Sequence, residues 1–390
     1  MHDETGKYRI FISAAEPSAD AHCAGLITAL KKTSYNIEFV GVGGPKMESA
    51  GCRLLENTIG KAAMGFNAFR HIAYFYKLIR HIAIYLKNNK VDLVIVCDSP
   101  AFNFHIAKAA KKTGIKTLFY VAPQLWAWGQ WRIKKLRKYC DKLCCILPFE
   151  QDWFAQRGID AVFVGNPLLE ELNKDLSRCR KKYAAFEPEQ ATIALMPGSR
   201  AAEINSLWPP MQRIAARIKR KHPNVTFTAV AVDEQGKDIL KSMQVIGFKC
   251  KYVIGSVSET ARVADLSIVA SGSATLEVAA SGCPMVVMYQ SSKILWLLLG
   301  RWLVKTKYLS LVNILAGKDL VPEFMPYFSS IDPVVETAQQ LLEDRDRLVR
   351  TSSELVRLAE SLGQTRASEK VAQIAANMLL SNEHAEHPKN

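Results

Sequence analysis

The sequence predicts an α/β protein with two parallel-sheet domains, and three observations predict it. Short β-rich segments alternate with helix-length segments in the first half, the alternation resumes in the second half, and a polar stretch separates the halves. Such alternation is typical of parallel sheets with crossover helices. The first-half strands are predicted at Tyr8–Ser13, Ile37–Gly43, Val91–Cys97, Ile115–Val121, Leu143–Leu147 and Ala161–Val164.

A connection precedes the second half. Residues Lys174–Gln190 are polar and charged, contain Pro188 and show no clear apolar face, which is typical of an interdomain linker. The expected architecture is two Rossmann-like domains that face a cleft. The second-half strands are predicted at Thr192–Met196, Val225–Val230, Lys251–Ile254, Leu266–Ala270 and Pro284–Tyr289.

The domain boundaries follow from this segmentation. An N-terminal domain is predicted over residues 1–173, the linker over 174–190 and a C-terminal domain over 191–332. Helical periodicity continues over 333–380, and the polar residues 381–390 are expected to be disordered. A chain of 390 residues is long for one hydrophobic core, which agrees with two domains.

The net charge of +14 indicates an anionic partner, either nucleic acid, an acidic lipid surface or a phosphorylated substrate. No motif for base stacking or groove reading accompanies the charge, which argues against nucleic acid. The nine cysteines are typical of reduced thiols, and Cys140, Cys144 and Cys145 lack zinc-ligand spacing. Because Met1–Lys7 is charged and only a strand-length apolar run follows, no signal peptide is predicted and a cytoplasmic location is expected.

Two strand-to-helix junctions in the second half are candidate anion-binding sites. Thr192–Ile204 contains an apolar strand, the PGSR loop (Pro197–Arg200) and a helix start. Ala270–Val287 contains the SGS loop (Ser271–Ser273) between a strand and a helix. Free backbone N–H groups and the helix dipole hold phosphates at such junctions without a metal. Two of them predict a nucleoside-diphosphate ligand, and neither a metal nor another cofactor is expected.

The chain resembles the lipid-A-disaccharide synthases, glycosyltransferases with the GT-B fold. The motifs that carry the resemblance run in the family's order over nearly the whole chain: AEPSAD (Ala15–Asp20), GVGGP (Gly41–Pro45), DSPAFN (Asp98–Asn103), PQLWAW (Pro123–Trp128), PFE (Pro148–Glu150), PGSR (Pro197–Arg200), ASGSATLE (Ala270–Glu277), NILAG (Asn313–Gly317) and VPE (Val321–Glu323). The chain departs from the family at Ala15 and Ala19, where glycine is usual, and at Ala101, where an acid is frequent.

The resemblance implies a reaction and its partners. A 2,3-diacylglucosamine unit would move from its UDP carrier to 2,3-diacylglucosamine 1-phosphate, giving a β-1,6 disaccharide 1-phosphate and UDP. The N-terminal domain would receive the acceptor and contact the membrane, and the C-terminal domain would bind the UDP-sugar. The resemblance further suggests peripheral attachment to the cytoplasmic face of the inner membrane and a homodimer in which C-terminal segments can be exchanged.

Inverting displacement of UDP needs a base for the attacking hydroxyl. Asp98 follows the strand Val91–Cys97, at the sheet edge where ligands of α/β folds bind. From the residues alone, a helix N-cap is an equal alternative, and the resemblance favours the general base. Glu16 and Asp20 in the first loop are the other catalytic candidates, although capping can also explain Asp20.

The diphosphate needs positive potential and hydrogen-bond donors. Arg200 can contact phosphate oxygens, and surface pairing with Glu203 is the alternative. Glu277 suits the ribose hydroxyls, whereas capping is the alternative for Ser273 and Thr275. Asn103, Asn313 and Glu323 are candidates for the acceptor side or a cleft loop, with turn residues as an equal alternative for the last two. The full set of UDP-binding candidates is Gly198, Ser199, Arg200, Ser271, Gly272, Ser273, Ala274, Thr275 and Glu277.

Three segments are candidates for membrane contact. Ala62–Leu86 and Ile294–Val304 are apolar but are interrupted or too short to span a bilayer. In the first, the residues alone support core packing and membrane contact equally, and the acylated substrates implied by the resemblance favour membrane contact, for the apolar face Phe66, Phe69, Ile72, Phe75, Ile79, Ile82 and Leu86. The third segment combines tryptophans with a run of basic residues: Trp126, Trp128, Trp131, Arg132, Lys134, Lys135, Arg137 and Lys138. Either interfacial anchoring or a solvated helix preceded by core tryptophans explains it.

A non-hydrolysing UDP-sugar 2-epimerase is the alternative enzyme. Such enzymes share the architecture and bind UDP in the second domain. The membrane-contact candidates argue against it, because an epimerase with a soluble substrate needs none.

Overall fold

The computed structural model describes residues 8–59, 68–127, 129–173, 186–291 and 306–386. The chain divides into two compact units. The first comprises Met1–Pro167 and Thr365–Asn390, and the second comprises Leu168–Gln364. Each unit is built around its own parallel sheet.

Seven parallel strands form the first sheet: β1 (Tyr8–Ala14), β2 (Ile37–Gly43), β3 (Arg53–Asn57), β4 (Leu93–Cys97), β5 (Thr117–Tyr120), β6 (Lys142–Cys145) and β7 (Ala161–Phe163). Their spatial order is β3-β2-β1-β4-β5-β6-β7. The order of strands therefore reverses between β1 and β4. Every residue of β4 and β5 is buried, as expected for strands covered by helices on both faces.

The second sheet has six parallel strands: β8 (Thr192–Met196), β9 (Thr226–Ala231), β10 (Lys251–Ile254), β11 (Leu266–Ala270), β12 (Met285–Met288) and β13 (Glu323–Phe324). The order β10-β9-β8-β11-β12-β13 repeats the arrangement of the first sheet. Here the order reverses between β8 and β11.

Helices cover both faces of each sheet. In chain order they are α1 (Pro17–Leu30), α2 (Pro45–Ser49), α3 (Ala68–Asn88), α4 (Pro100–Lys112), α5 (Ile133–Tyr139), α6 (Pro148–Ala155), α7 (Pro167–Asn173), α8 (Ala201–Lys221), α9 (Glu234–Ser242), α10 (Val257–Val263), α11 (Ala274–Ala280), α12 (Leu311–Ala316), α13 (Asp332–Glu343), α14 (Arg345–Gly363) and α15 (Ala367–Glu386).

The cores show which helices share a face. On the first sheet, α1 and α15 pack on one face, and α3, α4 and α5 pack on the other. On the second sheet, α8 and α13 pack on one face, where Trp208 of α8 is fully buried. The opposite face is covered by α10, α11 and α14. None of the described helices has the length and apolar character needed to cross a bilayer.

The predicted α/β class and all eleven predicted strands are confirmed, while β3 and β13 had not been predicted. The C-terminal region differs from expectation. Helix α15 packs on α1 through Val371, Ala375 and Leu379 and continues to Glu386, so residues 381–386 are helical rather than disordered. The linker residues 174–185 and the tail residues 387–390 lie outside the described part of the chain.

Candidate active site

The two sheets place the predicted site segments at equivalent positions. Ligands of open α/β sheets bind at the carboxyl ends of strands, where the strand order reverses. In the first sheet, Glu16 follows β1 and Asp98 follows β4. In the second sheet, the PGSR loop follows β8 and the SGS loop follows β11. Four segments chosen from sequence thus lie at two such switch points.

Asp98 lies in a strained turn between β4 and α4. Asp98 and Ser99 have φ of 52° and 42°, and this left-handed conformation costs about 1–2 kcal/mol for a residue with a Cβ. Ser99, rather than Asp98, occupies the N-cap position of α4. The Ser99 hydroxyl donates to Glu16 Oε1 at 3.1 Å. The turn therefore brings the half-buried Asp98 and Glu16 to the same switch point.

Asn103 lies beneath this turn rather than on the surface. Its side chain is fully buried, and its Nδ2 donates to the carbonyl oxygens of Cys97 and Asp98 at 2.9 and 2.7 Å. A side chain with no exposed surface does not contact a sugar. Asn103 was expected on the acceptor side or in a cleft loop, whereas in the structure it lies inside the scaffold that supports the turn.

Asp20 also has a structural role. Its carboxylate is buried and accepts hydrogen bonds from the backbone N–H groups of Gly44 (2.8 Å), Lys46 (3.1 Å) and Met47 (3.1 Å) at the start of α2. It therefore fixes the GVGGP loop, although it resides in α1. These bonds engage both carboxylate oxygens, so they favour the capping alternative for Asp20 over a catalytic role.

In the PGSR loop, Arg200 is paired with Glu203, the alternative noted from sequence. Arg200 Nη1 lies 3.2 Å from Glu203 Oε1. Glu203 Oε2 accepts from the backbone N–H groups of Ser199 (2.9 Å) and Arg200 (3.2 Å). Gly198 has φ of 109°, and a Cβ there would collide with Glu203, so glycine permits this approach. The Glu203 carboxylate thus accepts the hydrogen bonds of the backbone N–H groups that were predicted to bind phosphate. The Arg200 side chain is still 71% exposed.

The SGS loop is more open. Gly272 and Ser273 are exposed, and no described residue accepts a hydrogen bond from the backbone N–H of Gly272, Ser273 or Ala274. Thr275, by contrast, is buried, and its hydroxyl donates to Gly272 O at 2.7 Å. This bond shapes the loop and favours the capping alternative for Thr275. Glu277 is half-buried, one turn into α11.

Asn313 and Glu323 hold a loop together. The buried Asn313 accepts from the backbone N–H groups of Leu320 and Val321, both at 2.9 Å. Its Nδ2 donates to Glu323 Oε2 at 3.0 Å. Glu323 in turn accepts from the N–H groups of Leu309 and Ser310, both at 3.0 Å. These bonds support the alternative of turn residues for both side chains.

Trp126 and Glu150 form a buried pair that sequence reasoning did not predict. Trp126 Nε1 donates to Glu150 Oε1 at 2.9 Å, and the N–H of Leu147 donates to Glu150 Oε2 at 3.1 Å. The pair joins the PQLWAW and PFE motifs. Burial raises the pKa of Glu150 to about 7, against the opposing effect of these donors. Trp126 is therefore a core residue, Trp131 is 58% exposed, and Trp128 lies outside the described residues.

We expect the stability of the protein to fall as pH rises because of Glu150. Its pKa is raised from 4.5 to about 7 in the folded chain, so the folded state binds the proton more tightly. The contribution is full below about pH 4.5 and is lost through pH 7, by roughly 3 kcal/mol at most. Urea unfolding across this range measures it. Glu150→Gln should flatten the dependence, and an unchanged slope would contradict the assignment.

A family model for lipid-A-disaccharide synthetase matches residues 10–378. The chain belongs to this family. The lipid-A-disaccharide synthase of Geobacter metallireducens is 31% identical over 375 residues, covering 95% of this chain and 97% of that protein. The lipid-A-disaccharide synthase of Syntrophus aciditrophicus is 33% identical over 379 residues, covering 95% of this chain and 97% of that protein. The resemblance inferred from the motifs, and with it the assignment as an enzyme, is confirmed.

Solved structures confirm the fold class. The S. aureus MnaA–UDP structure has a TM-score of 0.66 at 14% identity, covering 96% of this chain and 98% of that one. The structure of the UDP-GlcNAc 2-epimerase of Neisseria meningitidis, bound to UDP-GlcNAc, has a TM-score of 0.62 at 11% identity, covering 97% of this chain and 100% of that one. The structure of a glycosyltransferase of Rickettsia africae has a TM-score of 0.54 at 14% identity, covering 97% of this chain and 100% of that one. At these identities the likeness is one of fold, so it does not favour the epimerase over the synthetase family.

The structure divides the family's motifs into two groups. Glu16, Asp98, Arg200, Gly272 and Ser273 have exposed or half-exposed positions in switch-point loops. Other motif residues are buried and bond the protein itself: Asp20, Asn103, Trp126, Glu150, Thr275 and Asn313. Residue type does not explain this division, because each group contains both charged and uncharged residues.

Proposed function

We propose that this chain transfers 2,3-diacylglucosamine from UDP-2,3-diacylglucosamine to 2,3-diacylglucosamine 1-phosphate. The product is the β-1,6-linked disaccharide 1-phosphate, and UDP is released. One observation carries the proposal: the synthetase family match spans residues 10–378 and so includes both switch points. The first unit would receive the acceptor, and the second unit would bind the UDP-sugar.

Asp98 is the proposed general base. Its carboxylate would accept the proton of the acceptor 6-hydroxyl, while that oxygen forms a bond to the anomeric carbon of the donor. The bond between the anomeric carbon and the diphosphate oxygen breaks, and its electron pair leaves with UDP. Attack from the face opposite to UDP gives inversion. Glu16, joined to this turn through Ser99, is the second carboxylate at the site.

The second unit would stabilise the departing diphosphate. The exposed Arg200 guanidinium offers charge-assisted hydrogen bonds, and the backbone N–H groups of the SGS loop offer neutral ones. Binding at the PGSR backbone requires displacement of Glu203, which would also release Arg200 from its partner. Glu277 remains the proposed acceptor for the ribose hydroxyls.

Product analysis tests the reaction. The purified protein is incubated with UDP-diacylglucosamine, with and without diacylglucosamine 1-phosphate, and the products are analysed by mass spectrometry. The proposal expects a disaccharide 1-phosphate, and UDP release only when the acceptor is present. Conversion of the UDP-sugar to an isomer of equal mass without acceptor, detected by chromatography, would instead identify an epimerase.

Arg200→Ala should weaken UDP binding by about 10- to 100-fold. A charge-assisted hydrogen bond is worth roughly 1.5–3 kcal/mol, and about 1.4 kcal/mol is tenfold in affinity. Isothermal titration with UDP measures the change. Arg213→Ala is the matched control, since Arg213 is exposed on the same helix beyond its first three turns. Equal affinities for both variants would show that Arg200 does not contact UDP.

The surface formed by α3, α4 and α5 is the proposed contact with anionic lipid. These adjacent helices contain no acidic residue. Their exposed cations are Lys77, Arg80, Lys87, Lys108, Lys111, Lys112, Lys134, Lys135, Arg137 and Lys138. Exposed Tyr76, Ile84 and Trp131 add apolar surface. The nearby Asp141 pairs with Lys111 at 3.1 Å. Peripheral attachment through this surface fits the acylated substrates.

Reversing three of these charges should weaken binding to anionic vesicles by at least about 100-fold. Each basic residue near a lipid surface contributes about 1 kcal/mol, so loss of the three attractions alone gives about two orders of magnitude, and the new negative charges add repulsion. The variant is Lys108→Glu, Lys112→Glu and Lys134→Glu, measured by co-sedimentation with phosphatidylglycerol vesicles at low salt. The control reverses Lys241, Lys249 and Lys251, which are exposed in the second unit. Equal losses in both variants would indicate net charge rather than this surface.

A further inference from the structure

The turn that carries Asp98 needs support from the surrounding protein. Two consecutive residues with side chains, Asp98 and Ser99, are left-handed, and neither is glycine. Such a conformation persists only where neighbouring groups hold it. A relaxed turn would move the Asp98 carboxylate away from the switch point.

Asn103 and Ser13 make contacts that can hold this turn. Asn103 Nδ2 donates to the carbonyl oxygen of Cys97 at 2.9 Å and to that of Asp98 at 2.7 Å. These carbonyls flank the N–H of Asp98, so the amide bridges the start of the turn. Ser13 Oγ, from the neighbouring strand β1, donates to Asn103 Oδ1 at 2.7 Å. Both side chains are fully buried.

The hydrogen bonds also fix the orientation of the amide. Carbonyl oxygens can only accept, so the Asn103 NH2 must face Cys97 and Asp98. The Asn103 oxygen must then face Ser13, which donates its hydroxyl proton. An aspartate at this position would bring a carboxylate oxygen against two carbonyls, and an alanine would leave both the carbonyls and Ser13 without these bonds.

We propose that Asn103, oriented by Ser13, is a positioning residue that keeps the Asp98–Ser99 turn left-handed and so aims the Asp98 carboxylate. It acts through Asp98 and does not contact substrate. The proposal rests on the proposed function, in which Asp98 is the base. Asn103→Ala is expected to lower turnover by about 10- to 100-fold, because small misplacements of a reacting group have effects of this size.

A double-mutant cycle tests this role. Turnover is measured for wild type, Asn103→Ala, Asp98→Asn and the double variant, each corrected for the folded fraction from thermal melting. If Asn103 acts through Asp98, its replacement costs little once Asp98 is asparagine. An equal loss in both backgrounds, or no loss in wild type, would overturn the proposal. A harmless Asp98→Asn would instead refute Asp98 as the base.

A milder variant covers the case in which Asn103→Ala does not fold. Ser13→Ala removes the orienting hydroxyl but keeps both bonds from Asn103 to the carbonyls. Its turnover should fall in the wild-type background and change little in the Asp98→Asn background. The dissociation constant of UDP should stay the same, because the UDP site is proposed in the other unit. A loss of equal size in both backgrounds would overturn the proposal here too.

Discussion

Asp98→Asn should lower turnover by about 10²- to 10⁴-fold, the usual contribution of a general base. Asparagine has nearly the same shape, but its amide does not accept the proton of the attacking hydroxyl. The backbone bonds of the turn, from Asp98 N–H to Tyr120 O and from Asn103 to the Asp98 carbonyl, do not involve the carboxylate. Folding and UDP binding are therefore expected to remain at wild-type levels. Turnover, thermal melting and UDP titration measure the three quantities.

Asp20→Asn is the matched control. Asp20 is also an aspartate in one of the family's motifs, yet its carboxylate bonds the backbone N–H groups that begin α2. Its replacement should lower the free energy of unfolding by about 1–3 kcal/mol, as for the loss of bonds to a buried charged group. Turnover per folded molecule should change far less than in Asp98→Asn. Retention of more than a tenth of wild-type turnover by Asp98→Asn would remove Asp98 from its role.

The positions of the site loops could be predicted from sequence because they follow from chain order. A buried apolar strand followed by small or polar residues and a helix marks a loop at the carboxyl edge of a parallel sheet. The ends of β1, β4, β8 and β11 were recognisable in this way. Strand β13 was missed because Glu323–Phe324 has only two residues, and β3 was missed because Arg53–Asn57 has two apolar residues, neither of them β-branched or aromatic.

The roles of individual polar side chains could not be predicted in the same way. Asp20 bonds residues 24 to 27 positions further along the chain, and Ser13 bonds Asn103 across 90 positions. A local pattern carries no information about such partners. Glu203 is the exception, because a glutamate at the third position of a helix is a recognised capping signal. That signal could have indicated that the PGSR backbone has a resident acceptor.

Helix α3 presents two faces, and the predicted apolar face is mainly a core face. Leu78, Ile82 and Leu86 are buried against the first sheet, and Phe75 and Ile79 pack beside them. This supports core packing for the described part of Ala62–Leu86. Phe66 and the side chains of Phe69 and Ile72 lie outside the described residues, as does Ile294–Val304. The outer face of α3 instead exposes Tyr76 and Ile84.

Ile82→Ala should therefore destabilise the fold by about 2–5 kcal/mol, the usual cost of truncating a fully buried isoleucine. Ile84→Ala, two residues along the same helix, should change the free energy of unfolding by about 0.5 kcal/mol or less, since Ile84 is 49% exposed. Urea unfolding measures both. Binding to anionic vesicles should show the opposite order, with a loss for Ile84→Ala and none for the folded fraction of Ile82→Ala. If Ile82→Ala retained full stability and lost vesicle binding, Ile82 would belong to the membrane face and the proposed lipid contact of α3 would have to be reassigned.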